Sequence, residues 1–554
     1  MKKLIALVVA ISLVLGLLAA CTTSQTTPQP TPQDPPANTG KHVSLLRVGT
    51  TYQMEGFNVM GANGSFRRMA YNSFTVAPFV ERDENGQPSP CFMTEWEISD
   101  DLTVLTGTFA TDQGIIFHDG TPVTMDDVIF SIEYRLNVVK DSIWTGLIRV
   151  ERIDETHARL IFDGPYAYRT LGSIAQFGYV YPKHIWENVT DYLNYAEEDA
   201  VIGCGPYKLV NIDRDAQIIS YEKVADTYLG REITVDRVDV HSYSSLDSLA
   251  MALINGEVDA MYNFGDSLDP SLRPTITGVD GLNPGTSMCT GGYQLVFGFN
   301  VAPTNDIKFR QAATYALDYE LLATVIGGED GEIAGTGIIS PANIGFNASL
   351  PKNQQDQERA KKTLDDAGYI DANGDGWREL PGGGELVISI APYYNPEKSA
   401  LYLRMIEIIS SNLGEIGVKA VLDEEAVRNS AYNQSVRTSA EYQMYVSYTT
   451  PASASYRTAI MYVLSVAGSG AGWGSCTDPK ALAAYEDAMN SGSTEEYAQK
   501  VYKLQELNGE QFFGVALAWG PVYFPYRTDK IGGWVYVDGW GPINCLTWYA
   551  LYEK

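Results

Sequence analysis

Apolar residues fall at every second position over Val104–Phe109, Ala158–Phe162, Gln217–Glu222, Asp236–Ser242, Glu385–Ala391 and Val418–Asp423, the period of a strand with one buried face. Between these stretches the spacing becomes that of a helix. Val128, Ile132, Leu136 and Val139 line one face behind Thr124, which forms a capping-box variant with Asp127. Asp306 is placed to cap a helix carrying Phe309, Ala313 and Ala316, and Ser493 with Glu496 forms another capping box ahead of Tyr497, Val501 and Leu504. Asp356 starts a helix closed at Gly368, and a helix from about Glu397 carries Leu403, Ile406, Ile409 and Leu413 before Gly417. Strands and helices interleave without an internal repeat, so the pattern predicts an α/β fold.

The amino end has a different pattern. Lys2-Lys3 precede an apolar run from Leu4 to Leu18, interrupted only by Ser12 and Gly16, followed by Leu18-Ala19-Ala20-Cys21. Two positive charges, about fifteen apolar residues and a small-residue site describe a signal peptide over residues 1–20, too short to span a membrane. The Leu-Ala-Ala-Cys end resembles the lipobox of bacterial lipoproteins, which implies a diacylglyceryl group on Cys21 and a protein anchored on the outer face of the cell membrane, extracellular or periplasmic. From Thr22 to Gly40 the chain is a Pro/Thr/Gln tract with no apolar side chain larger than Pro or Ala. Residues 21–42 therefore read as a lipidated cysteine and tether.

Of 554 residues, about 510 remain for the folded body, enough for three domains. Apolar residues make up 45% and charged residues 19%, and the net charge is −29. That charge argues against nucleic acid or an anionic membrane surface as a partner and fits a solvated monomer. Cys91, Cys204, Cys289, Cys476 and Cys545 are widely spaced and odd in number. Export permits disulfides among them, but spacing assigns no pairing. The five histidines never fall at i,i+4 or in a cysteine cluster, so zinc chemistry is not expected.

Trp96–Asn137, WEISDDLTVLTGTFATDQGIIFHDGTPVTMDDVIFSIEYRLN, resembles the signature segment of extracellular solute-binding proteins of the peptide/nickel class, family 5, which serve ABC importers. Gly203–Gly230, Leu253–Tyr262, Leu295–Gly328 and Glu358–Glu379 continue the resemblance in order. It implies a bilobal clamshell of the periplasmic-binding-protein type II with an additional inserted domain. One lobe would hold 43–75, 205–293 and 522–554, the insertion 76–204, and the second lobe 294–521, with hinge crossings near Gln294–Asn300 and Pro521–Tyr526. A solute bridging both lobes would bind the closed state better and shift the population toward it, and a membrane permease would read that closure.

In peptide-binding members of the family an Asp in the second lobe accepts the peptide ammonium, but the matching stretch Met444–Ser455 contains no acid. Dipeptide-binding members place an Arg before a Pro-Tyr-Asn-Pro run, whereas here Ala391 precedes Pro392-Tyr393-Tyr394-Asn395-Pro396. Short zwitterionic peptides are thereby disfavoured, while longer peptides held through their main chain remain open. Tyr52, Tyr394, Tyr448, Thr449, Trp473, Trp519 and Tyr523 sit where the family lines its cleft, and their faces and hydroxyls suit peptide side chains or sugar rings. A core role is the competing reading for each. The Gly468–Gly474 loop offers a collar around Trp473.

No cofactor is implied, apart from a weak match to the first half of a calcium loop at Asp371, Asn373 and Asp375, whose twelfth position is Gly382 instead of Glu. G-x-S-x-G, H-E-x-x-H, the P-loop and the Rossmann glycines are absent; Ser349-x-x-Lys352 is a formal S-x-x-K interrupted by Pro351. The sequence points to a non-enzymatic receptor for a small solute, peptide first, oligosaccharide next, then nickel or another chelate. A secreted hydrolase is the alternative from a different class.

Overall fold

The computed structural model describes residues 40–54, 58–60, 74–84, 86–263, 267–288, 291–439, 441–449 and 476–554. The alternation read at Val104–Phe109 folds into a strand of that span, with Leu105, Gly107 and Phe109 turned inward. It pairs antiparallel with Met93–Ile98 on one side and His157–Phe162 on the other; Leu147–Arg152 completes a four-stranded sheet. Gly107 leaves room for its neighbours' side chains: a Cβ there would lie 2.6 Å from Met93 Sδ and would push that side chain aside. Against this sheet lies the helix Met125–Tyr134. One oxygen of buried Asp127 accepts the N–H and hydroxyl of Thr124 at 2.9 and 2.8 Å, and the other accepts the N–H of Lys183 at 3.0 Å. The helix start thus also fixes the Lys183–Trp186 helix.

This domain is an insertion into a second body, a seven-stranded sheet in the order Leu282–Asn283, Tyr526–Arg527, Ala260–Met261, Leu46–Thr50, Arg237–Ser242, Ile218–Lys223, Tyr207–Asp213. Leu46–Thr50 is parallel to both neighbours. The chain enters the insertion after Phe74-Thr75 and leaves it at Gly203-Cys204-Gly205, and the two passages bond to each other: the N–H of Gly205 donates to Thr75 O and that of Tyr207 to Phe74 O. A Cβ on Gly203 would stand 2.1 Å from Thr75 O and one on Gly205 2.5 Å from Phe74 O. Those glycines permit a backbone-to-backbone neck.

Below the neck the two parts share one core. Val43, Leu46, Val48, Tyr221 and Trp548 of the seven-stranded body pack in the same cluster as Phe79, Leu105, Phe109, Trp144 and Trp186 of the insertion. Buried Glu81 and half-buried Arg231 form an ion pair across this junction, at 2.8 Å, with the Arg231 guanidinium 3.6 Å from the Tyr549 ring centroid. The insertion therefore belongs mechanically to the seven-stranded body.

The third sheet has five strands, in the order Lys419–Leu422, Val387–Pro392, Met444–Thr449, Gly292–Phe297, Gly514–Ala518. The first three run parallel; the last two alternate in direction. Helices Ile307–Ala316, Tyr319–Gly327, Ser399–Glu415 and Thr494–Gln511 cover it and close two further core clusters. The chain passes between the bodies twice, along Thr286–Met288 and back along Pro521–Tyr523, and these two segments pair as an antiparallel ribbon. The Gln294–Asn300 stretch lies past that ribbon, its first four residues inside the Gly292–Phe297 strand. This ribbon of two short strands is where the chain crosses from one body to the other and back.

Candidate functional site

In open α/β sheets ligands bind outside the carboxyl ends of parallel strands, where the following segments leave the sheet. In the seven-stranded body Leu46–Thr50 delivers Thr51 and Tyr52, and Ala260–Met261 delivers Tyr262 and Asn263. Asn263 stitches these exits together: its Oδ1 accepts from the Thr50 hydroxyl at 2.7 Å and the Thr51 N–H at 3.0 Å, and its Nδ2 donates to Thr51 Oγ1 at 2.8 Å. In the five-stranded body Val387–Pro392 delivers Tyr393 and Tyr394, Met444–Thr449 ends at Tyr448 and Thr449, and Gly514–Ala518, beyond Gly292–Phe297 in the sheet, delivers Trp519.

A pocket bridges the two bodies beside the crossing ribbon. The five-stranded side contributes Tyr293, Ile326, Lys398, Leu401, Tyr448 and Trp519; Ser267, Asp269 and Pro270 face them from the other side, with Gly520–Val522 of the ribbon between. The Tyr448 ring lies 4.9 Å from Tyr293, and the Lys398 ammonium is 5.4 Å from the Tyr448 centroid. Lys398 is only 9% exposed and stands at the amino end of the Ser399–Glu415 helix. Asp269 Oδ1 accepts the Ser271 N–H at 2.8 Å. The space left between these walls is about 40 Å³, room for a water or two. A larger solute needs a wider space than this arrangement offers.

Of the residues proposed from sequence, Tyr448 and Trp519 line this pocket. Tyr523 lies behind it on the ribbon, where its hydroxyl donates to Asp330 Oδ2 at 2.8 Å; Asp330 in turn pairs with Arg273, joining the two bodies. Burial first and the Asp330 carboxylate second push the Tyr523 phenol well up. Thr449 is buried and donates to Gln294 Oε1 at 3.1 Å, inside the sheet. Tyr394 and Tyr52 follow their strands half-buried, and Tyr52 packs against the large core cluster. Trp473, the Gly468–Gly474 collar and Cys21 lie outside the described residues.

The sequence reading missed Asp269 and Lys398. It sought an acid in Met444–Ser455, whereas the acid of this pocket comes from the opposite body. It sought a base before Pro392, whereas the base comes after Pro396. A charged residue at a helix start, Asp269 before Pro270 and Lys398 before Ser399, was the available signal.

A second cavity, of about 100 Å³, lies wholly between the seven-stranded body and the insertion, walled by Tyr179, Tyr262, Trp540 and Trp548 with Glu81, Arg82, Asn544 and Cys545. Cys545 donates to Arg82 O at 3.3 Å and Cys91 to Glu81 Oε1 at 3.5 Å, and burial pushes both thiols up. Cys91, Cys204, Cys476 and Cys545 are free thiols.

The carboxylates of the Asp371–Gly376 loop are turned to their own backbone. Asp371 accepts from the N–H of Gly374 and Gly376 at 2.7 and 2.9 Å, and Asp375 Oδ1 from that of Trp377 at 2.9 Å. Among the described residues no three His, Cys, Asp or Glu side chains gather as metal ligands. Ser349 donates to Asn347 Oδ1 at 2.6 Å and Lys352 to Glu332 at 3.4 Å, so the formal S-x-x-K pair serves loop contacts.

Two α/β bodies with a domain inserted in one, a paired ribbon between them and a pocket that both wall make a type II solute-binding clamshell. The chain belongs to the bacterial extracellular solute-binding proteins of family 5, whose middle region matches residues 87–471. Among its relatives, the oligopeptide-binding protein AppA of Bacillus subtilis is 27% identical over 301 residues, 50% of this chain and 52% of that one. A probable peptide ABC transporter periplasmic-binding protein of Sinorhizobium fredii is 24% identical over 61% of this chain and 63% of its own. The chain thus spans about half to two thirds of the length of these relatives. Among solved structures, AppA from Bacillus subtilis in complex with a nonapeptide superposes with a TM-score of 0.72 at 19% identity, covering 93% of this chain and 100% of that one. The mannohexaose-bound oligopeptide-binding protein of Thermotoga maritima gives 0.72 at 20%, covering 92% and 99%.

Proposed function

We propose that this protein is the solute receptor of an ABC importer, exported, lipid-anchored through Cys21 and taking peptides, and that it hands them to a membrane permease by closing. The observation that carries the peptide reading is the pocket between the bodies, where aromatic walls meet an acid, Asp269, from one side and a base, Lys398, from the other. Opposite charges on opposite jaws suit a ligand that carries both signs, and rings between them suit apolar side chains. The names of the relatives favour the same class: AppA and the Sinorhizobium fredii protein are described as binding oligopeptide or peptide. An oligosaccharide would use the aromatic walls but neither charge.

The test is a thermal-shift screen of the full chain against peptides, oligosaccharides and metal chelates, since a ligand that binds only the folded protein raises its melting temperature. Peptides are expected to give the shift. A shift with oligosaccharides or nickel chelates and none with peptides overturns the reading.

A further inference from the structure

The helix Thr494–Gln511 has 18 residues, about 27 Å of length. It turns at Phe512, in the left-handed region, into the strand Gly514–Ala518 of five residues, about 17 Å. Asn508 ties the turn together, its Oδ1 accepting the N–H of Phe513 at 3.1 Å and of Gly514 at 3.3 Å. A helix folded back along a shorter strand overhangs it. The contacts place that overhang at the edge of the cleft: Phe346 packs edge-on to Trp519 at 5.5 Å, and its neighbour Gly345 lies against Val501 and Ala498. Thr494 is a further turn of helix out.

What it meets there is the insertion. The Tyr168 hydroxyl donates to Thr494 Oγ1 at 2.7 Å, and Thr494 donates on to Gln87 Oε1 at 3.2 Å. Beside them Gly492 lies close to Leu102: a Cβ there would stand 3.3 Å from both of its terminal methyls and would press that side chain aside by a few tenths of an ångström. Leu102 is itself held with φ 58° in the turn ahead of the Val104–Phe109 strand, and Ala167 at the start of the Tyr168 helix donates its N–H to Leu102 O. The insertion thus presents one preformed patch, made of a hairpin turn and a helix start.

We infer that the inserted domain is the clasp of the clamshell. Because it shares its core with the seven-stranded body, it travels with that body, and its Tyr168, Gln87 and Leu102 grip the overhanging end of Ser493-Thr494 when the jaws close. These are positioning residues that touch no solute. Every contact named must break for the cleft to widen, and each is weak singly, so together they hold the closed state loosely enough for release. The clasp sets how long the jaws stay shut, and the pocket sets what they shut on. The inference rests on the clamshell architecture and is independent of which solute is bound.

The test compares the full chain with the variant Tyr168→Phe/Thr494→Val by small-angle scattering without added solute. The open-to-closed ratio is expected to rise about fivefold for each hydrogen bond removed, seen as a larger radius of gyration at an unchanged melting temperature. A second variant, Gln87→Cys/Thr494→Cys, is expected to cross-link under oxidised dithiothreitol and to keep the radius of the closed form. An unchanged radius in the first variant, or no cross-link in a folded second variant, overturns the clasp. Neither result bears on the peptide reading, which the ligand screen decides separately.

Discussion

Lys398, only 9% exposed, stands at the start of a 17-residue helix whose amino-terminal N–H groups carry positive partial charge. Both features favour a negative group arriving from the ligand. Replacing it, Lys398→Met, is expected to weaken peptides with a free carboxyl terminus by about tenfold or more, the range of a charged hydrogen bond. Amidated peptides should lose little, and calorimetric titration of the matched pair reads the difference. Equal losses for both would remove Lys398 from recognition. His118 makes a different prediction. Its Nε2 lies 3.1 Å from Gly205 O, and burial holds its pKa below the ordinary histidine value; Lys208 adds to the lowering, while the Gly205 carbonyl and Asp119 oppose it. His241 is lowered too, again chiefly by burial. The folded protein refuses protons that the unfolded chain accepts near pH ~6.5, so their contribution is complete above that pH and is lost as pH falls through it. Between pH 7 and pH 5.5 the melting temperature is expected to drop, and His118→Gln should flatten part of the slope. An identical slope in the variant would rule His118 out as its source.

Asp127 shows how much one capping residue organises. It satisfies two donors of Thr124 and one of Lys183 from a buried position, so Asp127→Ala removes a cap and leaves three donors to find new partners. About 2 kcal/mol of stability should be lost, measurable as a lower denaturant midpoint at constant slope. No loss would mean water takes the place of the carboxylate. This element was legible in the sequence because capping is local: Thr124, Asp127 and the apolar face after them are neighbours in the chain. The capping pair Ser493 and Glu496 was legible too, with one difference. The Ser493 hydroxyl accepts the Glu496 N–H, but Glu496 reaches Gly492 N–H instead of Ser493 N–H, drawn by Lys500 on its other side. Strands followed the same logic. Those with one wet face alternate and could be read, whereas Gly292–Phe297, Met444–Thr449 and Gly514–Ala518 are buried at every position. A strand covered on both faces has no alternation to show.

At the level of the two bodies, the sequence carried the fold through its ordered family blocks, and it carried the aromatic wall of the pocket in Tyr448 and Trp519. It could not carry pairings across the chain. Asp269 and Lys398 meet one pocket from opposite sides of the crossing ribbon, and Tyr168 meets Thr494 from 326 residues away, separations at which spacing holds no information. The shared core is another such pairing. Sequence suggested three units, the insertion among them, but Trp144 and Trp186 of the insertion pack in one cluster with Leu46 and Val48 of the seven-stranded body. Two cooperative units should therefore unfold, not three. Trp144→Ala, which empties a fully buried site, is expected to cost about 3–5 kcal/mol. That loss should appear in hydrogen exchange as faster opening of Leu46–Thr50 together with Val104–Phe109, while Gly292–Phe297 in the other body keeps its protection. If Val104–Phe109 opened alone and Leu46–Thr50 stayed protected, the insertion would be a separate unit, and a clasp riding rigidly on the seven-stranded body would lose its mechanical basis.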